Sequence, residues 1–218
     1  MMTDQDPAAM EAAKIVVESG AVYTRTSGDP FFLSSGWASP VFIDIKRLIS
    51  LADARQRLIE LALSKIDVVY QPGAVDMIAG CELAGVPFAS IIADRRHLPL
   101  VVAMKRARGF GRLSQFEGSF EPGTRTLLVD DLTTDGRTKE AIKQALKAAQ
   151  AQVVGVFVLL DYNIFRDVSD MTSLMNLAHI VSTAKQGDHI SEYDLQVIEE
   201  FLFDAPRWSR RHGGIEAI

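Results

Sequence analysis

Apolar runs alternate with amphipathic stretches through the middle of the chain. Four runs are rich in Val, Ile and Leu and are bounded by turn residues, which predicts buried strands at 75–80, 98–104, 125–131 and 152–162. Between them, the later part of 81–96 and all of 138–150 have helical spacing. Near-continuous apolar strands that alternate with helices are typical of a parallel sheet covered on both faces. The pattern therefore predicts an α/β fold.

The flanking regions carry weaker patterns. Helical spacing at 8–19 ends at Gly20, and a second amphipathic helix is predicted at 52–66. Between these helices we expect two short strands around a Ser35–Gly36 turn, with Pro40 opening the second strand. A further helix is predicted to begin near Ser191. We expect one domain over 1–218, divided into an N-terminal part (1–50), an α/β core (65–165) and a C-terminal region (166–218).

Composition narrows the class of protein. Hydrophobic residues make up 48% of the chain and charged residues 23%, with a net charge of −5, which gives no general reason to expect a nucleic-acid partner. The single cysteine, Cys81, excludes an internal disulfide and fits a reducing compartment. No run approaches 18 apolar residues, and the first ten residues lack an apolar signal core. We expect a cytoplasmic protein without a membrane partner.

The stretch TLLVDDLTTDGRTKEA, residues 126–141, carries candidate chemistry. Asp130 and Asp131 follow an apolar strand, and a turn rich in Thr and Gly leads from them into a helix. Ligands of open α/β sheets bind at the carboxyl ends of strands, and a helix N-terminus favours an anion. The pattern predicts a sugar-phosphate site, in which the aspartates serve sugar hydroxyls or a bound Mg²⁺ and its waters. An ordinary polar turn in which Thr caps the helix is the alternative.

The segment 104–124 carries local positive charge. Three arginines and a lysine fall within residues 104–112 of this acidic chain, and the segment is too long for a tight connection. It is predicted to be a functional loop, with room for a β-ribbon. A solvated basic surface loop is the alternative.

Three segments and their order resemble a known family. The segments LSSGWASPVFID (33–44), IAGCELAGVPFA (78–89) and EGSFEPGTRTLLVDDLTTDGRTKEAI (117–142) are similar to orotate phosphoribosyltransferases, which belong to the type I phosphoribosyltransferases. The C-terminal FLFDAPRWSRRHGG is similar to a tail of the proteobacterial form. The resemblance implies a parallel sheet flanked by helices, with a small N-terminal hood over the site.

The resemblance also implies an activity. Such enzymes transfer the phosphoribosyl group of phosphoribosyl pyrophosphate (PRPP) to orotate, with Mg²⁺, and release pyrophosphate. They are homodimers in which the loop at 104–124 crosses to the neighbouring site. We name residues 134–138 the phosphate turn, because the resemblance assigns the 5′-phosphate to them. The residues expected to bind PRPP are Lys105, Asp130, Asp131, Leu132, Thr133, Thr134, Asp135, Gly136, Arg137 and Thr138.

Further roles carry over by position. Lys105, Arg108, Asp130 and Asp131 are the expected catalytic residues. The loop that faces pyrophosphate would consist of Cys81, Glu82, Leu83, Ala84 and Gly85, unless these form an ordinary strand-to-helix turn. The base would contact Phe42, Ile43 and Thr134 near Ser39, although Phe42 and Ile43 equally suit a plain hood core. No protein side chain is assigned to the metal, because Mg²⁺ would arrive with PRPP.

Several positions depart from the family pattern. Met104 stands in place of an arginine, Arg108 in place of a lysine and Phe110 in place of a histidine. Asp135 replaces a small residue, and two charges about 4 Å apart interact by roughly 4 kcal/mol at an effective dielectric near 20. An inward-facing Asp135 would therefore oppose phosphate, whereas an Asp135 paired with Arg137 or Lys139 would leave the turn intact.

These departures leave alternatives open. The main reading is an active orotate phosphoribosyltransferase. The second is a catalytically weak or inactive relative with a nucleotide-binding or regulatory role. Nucleic-acid binding through residues 105–112 or the basic C-terminal tail is the least favoured, because basic residues at both places are few.

Overall fold

A computed structural model of the chain describes residues 6–107, 115–164, 171–187 and 189–216. In chain order, its elements are α1 (Pro7–Glu18), β1 (Val22–Thr24), β2 (Phe31–Phe32), β3 (Ala38–Ser39), β4 (Val41–Ile43), a 3₁₀ helix (Ile45–Ser50), α2 (Ala52–Val69), β5 (Met77–Cys81), α3 (Gly85–Arg96), β6 (Leu100–Ala103), β7 (Phe116–Glu117), β8 (Arg125–Thr133), α4 (Arg137–Ala148), β9 (Gln152–Asp161), β10 (Met171–Asn176), α5 (Leu177–Gln186), α6 (Glu192–Phe203) and α7 (Ala205–Arg211). Within these ranges, no helix is both long and apolar enough to cross a bilayer.

The central sheet has six strands in the order β10-β9-β8-β5-β6-β7. Every neighbouring pair is parallel except β6 and β7, which are antiparallel. The predicted parallel α/β sheet is therefore confirmed, and the segment 104–124 contributes one short strand, β7, which pairs with β6. Because the strands are parallel, their carboxyl ends meet at one edge of the sheet.

Both faces of the sheet are covered. Alternate residues of β5, β8 and β9 enter two separate apolar clusters. Ile78, Leu127 and Phe157 join the larger cluster, which includes residues of α1, α2, α3 and α5. Ala79, Leu128 and Val158 join the smaller one with residues of α4. This two-sided burial explains why the strands read as continuous apolar runs in the sequence.

The hood consists of β1–β4 and the 3₁₀ helix. β2 pairs with β3 around the predicted Ser35–Gly36 turn, whereas β4 pairs with β1. The second predicted strand is therefore wrong in one respect, because Pro40 divides it in two instead of opening it. Proline has no N–H for a ladder, and Ser39 Oγ bridges the break by hydrogen bonds with the backbone N and O of Val41 at 3.2 and 2.8 Å.

Two elements between 166 and 190 have no counterpart in the prediction. β10, the sixth strand, has the sequence MTSLMN, which lacks a clear apolar run. α5 follows it directly and begins with a capping box in which Asn176 and His179 satisfy each other's backbone N–H. The helix predicted near Ser191 is confirmed as α6, with the Ser191 hydroxyl accepting from the Asp194 N–H at 3.1 Å.

The segment after α7 packs against the hood turn, which we define as residues 33–38. Ser209 Oγ accepts from the Ala38 N–H at 3.0 Å and donates to the Ile215 carbonyl at 2.6 Å. The Ile215 N–H donates to the Gly36 carbonyl at 3.1 Å. A Cβ on Gly214 would lie 2.4 Å from the Ala38 nitrogen, so only glycine permits this approach. The C-terminal tail therefore supports the hood turn through backbone and side-chain hydrogen bonds.

Candidate active site

A cavity of about 570 Å³ lies at the carboxyl edge of the sheet. Its wall is formed by the end of β8 and the phosphate turn, by the loop before α3 and by the hood. The residues that line it include Leu33, Ser34, Ser35, Phe42, Lys46, Glu82, Leu83, Ala84, Lys105, Tyr162 and all positions from 130 to 139. The structure thus brings most of the predicted site residues into one cavity.

A buried ion pair lies at the base of this cavity. Lys139 Nζ is 2.6 Å from Asp130 Oδ2, and the two side chains are 10% and 8% exposed. Lys139 sits in the first turn of α4, where the helix dipole disfavours a cation. Asp130 supplies the negative charge that makes this placement possible, and its other oxygen accepts from the Asp131 N–H at 2.9 Å.

The carboxyl of Asp131, next to Asp130, has a raised pKa. Burial, followed by the charge and hydrogen bond of Asp130, raises the pKa of Asp131 to about 7. For Lys139, burial acts to lower the pKa, but the attraction and hydrogen bond of Asp130 raise it overall. Burial likewise raises the pKa of the Asp161 carboxyl at the end of β9. The cavity therefore contains one carboxylate that is paired with a lysine and one carboxyl, Asp131, that changes charge near neutral pH.

The phosphate turn has the geometry of an anion site. Gly136 has a φ of 76° and caps α4, and its N–H donates to Thr133 Oγ1 at 3.2 Å. Glycine suits this left-handed backbone conformation, because a side chain at this φ would cause a steric clash. The backbone N–H groups in the first turn of a helix such as α4 have no acceptors inside the helix. They point out of its N-terminal end, where the helix dipole favours an anion.

Asp135 is turned towards the hood. Its Oδ2 accepts from the indole N–H of Trp37 at 3.2 Å and from Arg137 Nε at 2.8 Å, and its Oδ1 accepts from the Arg137 backbone N–H at 3.2 Å. The pairing with Arg137 is thus confirmed, whereas Lys139 pairs with Asp130 instead. An Asp135 that opposes phosphate without a counter-charge is therefore excluded by these contacts.

Only part of the loop at 81–85 lines the cavity. Glu82, Leu83 and Ala84 do so, whereas the Cys81 side chain is fully buried against the α4 face and does not face the cavity. The predicted role of residues 81–85 towards pyrophosphate stays a prediction. Gly85 packs on β8, and a Cβ there would lie 2.6 Å from Asp130 Oδ1. Glu82 Oε1 accepts from the Lys105 N–H at 2.7 Å, which holds the start of the basic segment beside the cavity.

The hood places its two predicted base contacts differently. Phe42 lines the cavity, whereas the Ile43 side chain is fully buried in the larger apolar cluster and does not face the cavity. The predicted contact of Ile43 with a base stays a prediction. The Ile43 N–H donates to the hydroxyl of Tyr162 at 3.2 Å, and that hydroxyl donates to the Val41 carbonyl at 3.4 Å. Ser39 is also fully buried and serves the hood backbone.

Sequence reasoning missed Lys46, Tyr162 and Lys139, all of which line the cavity. For Lys139 a signal existed, because a lysine in the first turn of a helix runs against the helix dipole and so calls for a nearby carboxylate. Lys46 and Tyr162 reach the cavity only through the packing of the hood on the sheet, which no local pattern encodes.

The basic segment is described in part. The Met104 N–H donates to the Gln115 carbonyl at 2.9 Å, and the Gln115 side-chain amide donates to the Met104 carbonyl at 2.9 Å. These bonds join the start of the segment to its middle. Lys105 lines the cavity and Arg106 is exposed. Arg108 and Phe110 lie outside the described residues, so their predicted roles remain predictions.

The carboxyl groups suit a metal that arrives with its ligand. Within the described part of the chain, no group of three or more His, Cys, Asp and Glu side chains is placed to hold a metal ion. Asp130 and Asp131 are two adjacent carboxyls, and one of them is already paired with Lys139. Mg²⁺ usually retains several waters and binds one or two carboxylates together with phosphate oxygens, and this donor set fits that mode.

Comparison with known proteins supports the same assignment. A family model described as the phosphoribosyl transferase domain matches residues 50–189. An orotate phosphoribosyltransferase of Rhizobium johnstonii is 36% identical over 215 residues, which cover 94% of this chain and 92% of the relative. The chain belongs to the orotate phosphoribosyltransferase family.

Two solved structures extend the comparison. Orotate phosphoribosyltransferase from Aeropyrum pernix has a TM-score of 0.67 and 30% identity to the chain, with coverage of 80% of this chain and 98% of that one. UMP synthase of Leishmania donovani has a TM-score of 0.74 and 27% identity, with coverage of 90% of this chain and 42% of that one. This member of the orotate phosphoribosyltransferase family therefore shares its fold with these relatives over most of its length.

The raised pKa of Asp131 predicts a pH-dependent stability. Between the ordinary carboxyl pKa and about 7, the unfolded chain releases this proton while the folded chain retains it, so the wild type loses stability as pH rises. Asp131→Asn removes that loss and should raise the free energy of unfolding at pH 8 by on the order of 2 kcal/mol. Urea unfolding at pH 5 and pH 8 measures the difference, which should shrink at pH 5.

The matched control is Asp29→Asn, the same substitution at an exposed position. It should leave both stabilities unchanged. Parallel pH profiles for Asp131→Asn and the wild type would contradict the buried, raised carboxyl.

Proposed function

We propose that this chain transfers the 5-phosphoribosyl group of PRPP to N1 of orotate, which yields orotidine 5′-monophosphate and pyrophosphate. The observation that carries the proposal is the buried Asp130–Asp131 pair, placed at a strand end directly before a glycine-capped helix and beneath a hood. Family membership supports the same activity, because the curated relatives are orotate phosphoribosyltransferases.

The two ends of the ribose phosphate have separate partners in this proposal. The 5′-phosphate binds the phosphate turn, where the backbone N–H groups of the α4 first turn and the hydroxyls of Thr134 and Thr138 are available as donors. The ribose hydroxyls donate to Asp130 and Asp131. Asp130 is suited to this role because Lys139 stabilises its charged form in a buried setting.

The pyrophosphate would leave towards the basic side of the cavity. Lys105 and the loop residues Glu82, Leu83 and Ala84 line that side. Mg²⁺, when bound with PRPP, supplies charge neutralisation to the departing pyrophosphate. We further propose that Arg108 adds a cation from the loop at 104–124 of the neighbouring subunit in a homodimer, since a guanidinium keeps the positive charge that the family's lysine provides.

The reaction needs positioning more than proton transfer. The bond from the anomeric carbon to the pyrophosphate oxygen breaks, the bond to N1 of orotate forms, and the proton of N1 is released to solvent. A developing positive charge on the ribose is stabilised by the nearby Asp130 carboxylate, whereas the cations of the basic segment stabilise the leaving group. Enclosure by the hood holds both reactants together and limits access of water.

The base site is proposed to lie between the hood and β9. The Phe42 ring lines the cavity and offers a flat apolar face to a pyrimidine. Lys46 Nζ lies 5.6 Å from the centre of that ring and 3.4 Å from Asp44 Oδ1. Orotate carries a carboxylate that uracil lacks, so Lys46 is the candidate for recognition of that group.

The contacts of Asp135 weaken the case for an inactive relative. The strongest departure in the phosphate turn is neutralised by Arg137 and bonded to Trp37, so it does not confront phosphate with a bare charge. A cytoplasmic location fits an enzyme with these substrates and a single buried thiol, Cys81.

Steady-state assay of the purified chain tests the proposal. With PRPP and Mg²⁺, orotate should be consumed and pyrophosphate released in equal amounts, whereas uracil should give at least 100-fold lower kcat/KM because it cannot pair with a cation in the base site. Absence of turnover with orotate, while PRPP still binds, would contradict the proposed activity.

Lys46→Met tests the base site. Loss of the cation should raise KM for orotate about tenfold, which corresponds to roughly 1.4 kcal/mol, and should leave KM for PRPP nearly unchanged. Initial-rate measurements with each substrate varied in turn report both constants. Lys14→Met, at an exposed lysine of α1, is the control and should leave both constants unchanged. Equal increases in the two KM values would argue against a specific role at the base.

A further inference from the structure

The hood turn lies between two parts of the chain that are far from it in sequence. On one side the C-terminal tail binds it through Ser209 and Ile215. On the other side the phosphate turn binds it through Asp135 and Arg137. The hood turn therefore lies between the C-terminal tail and the phosphate turn, and hydrogen bonds join it to both of them.

We propose that Asp135 is a positioning residue, which joins the phosphate turn to the hood and orients Arg137 towards the 5′-phosphate of PRPP. The inference rests on the proposed function, because it takes PRPP as the ligand of the phosphate turn. It goes beyond that function in giving a binding role to a residue whose charge has the wrong sign for a phosphate site.

The geometry around Asp135 supports this role. Its side chain is 7% exposed and accepts from two separate segments, namely from the fully buried indole of Trp37 and from the side chain of Arg137. A carboxylate buried to this degree needs charged or strong donors, and here it has both. Asp135 therefore connects the hood to the phosphate turn. A carboxylate without a structural role would be expected to face solvent instead.

The same contacts hold Arg137 in place. Its Nε and Nη2 bind Asp135 at 2.8 Å, and Nη2 also donates to the Ser35 carbonyl at 2.5 Å. These bonds fix the plane of the guanidinium along the wall of the cavity and engage one edge of it. The remaining nitrogen, Nη1, is the donor that we assign to the phosphate. A guanidinium oriented in advance loses less side-chain entropy when it binds an anion.

The sign of the Asp135→Ala effect separates this role from simple electrostatics. Removal of a carboxylate near the phosphate turn should tighten PRPP binding if charge alone matters. If Asp135 positions Arg137 and the hood turn, its removal should instead weaken binding, and we expect the Kd for PRPP with Mg²⁺ to rise about tenfold in calorimetry. Because the loss affects ground-state binding, KM for PRPP should rise while kcat at saturating PRPP changes less than threefold.

Two comparisons sharpen the test. Glu140→Ala removes the same charge from an exposed position in the first turn of α4, and its Kd should stay within twofold of the wild type. In the double variant, Asp135→Ala should increase the Kd for PRPP little beyond the increase caused by Arg137→Gln alone, because Asp135 acts through Arg137. Asp135→Asn retains an acceptor for the Trp37 indole but not the charge for Arg137, so it should give an intermediate Kd. It also provides the measurement if Asp135→Ala does not fold.

The outcomes distinguish this inference from the proposed function. Failure of the wild type to bind PRPP would overturn the proposed function itself. If the wild type binds PRPP, an equal or lower Kd for Asp135→Ala and Asp135→Asn would overturn the positioning role. Fully additive effects of Asp135→Ala and Arg137→Gln would overturn it as well.

Discussion

The buried ion pair between Lys139 and Asp130 is the constraint on which the site depends. A carboxylate at the end of β8 would be costly to bury without a counter-charge, and a lysine in the first turn of α4 would be unfavourable without an anion. Together they allow β8 to carry two buried acidic residues near its end, under cover of the hood. Asp130 also affects Asp131, because burial, followed by the negative charge of Asp130, raises the pKa of Asp131 to about 7. The proposed ribose site thus contains one carboxylate, Asp130, that is paired with a buried lysine.

The rest of the cavity is assembled from contacts between distant segments. Tyr162, at the end of β9, bonds to the hood strand β4, and Trp37 of the hood bonds to Asp135. The C-terminal tail then closes on the hood turn through Ser209. These hydrogen bonds join the base side of the cavity to its phosphate side. The site is therefore a property of the whole chain, although its chemistry is concentrated in a few residues of the β8–α4 segment.

The strand, the two aspartates and the turn of the β8–α4 segment could be predicted from sequence because they are adjacent in the chain. Asp130, Asp131 and Gly136 are adjacent in the chain, and the apolar run before them and the helix after them fix their surroundings. The strand β10 escaped prediction because its residues are largely polar or of mixed pattern, and only pairing with β9 makes it a strand. The orientation of Asp135 could not be read from its neighbours, since its partner Trp37 is 98 residues away. Ile43 and Cys81 were assigned to the ligand by position, but the side of the strand on which each falls directs it into the core.

The most direct test of this account is PRPP binding to Lys139→Met, measured by calorimetry with Mg²⁺ on protein that unfolds cooperatively. Without the lysine, Asp130 is left buried without its counter-charge, so the charged carboxylate should be disfavoured as an acceptor for ribose. The account predicts at least a tenfold increase in Kd, whereas Lys147→Met, at an exposed position of the same helix, should bind as the wild type does. Wild-type affinity in folded Lys139→Met would contradict the central role of the ion pair.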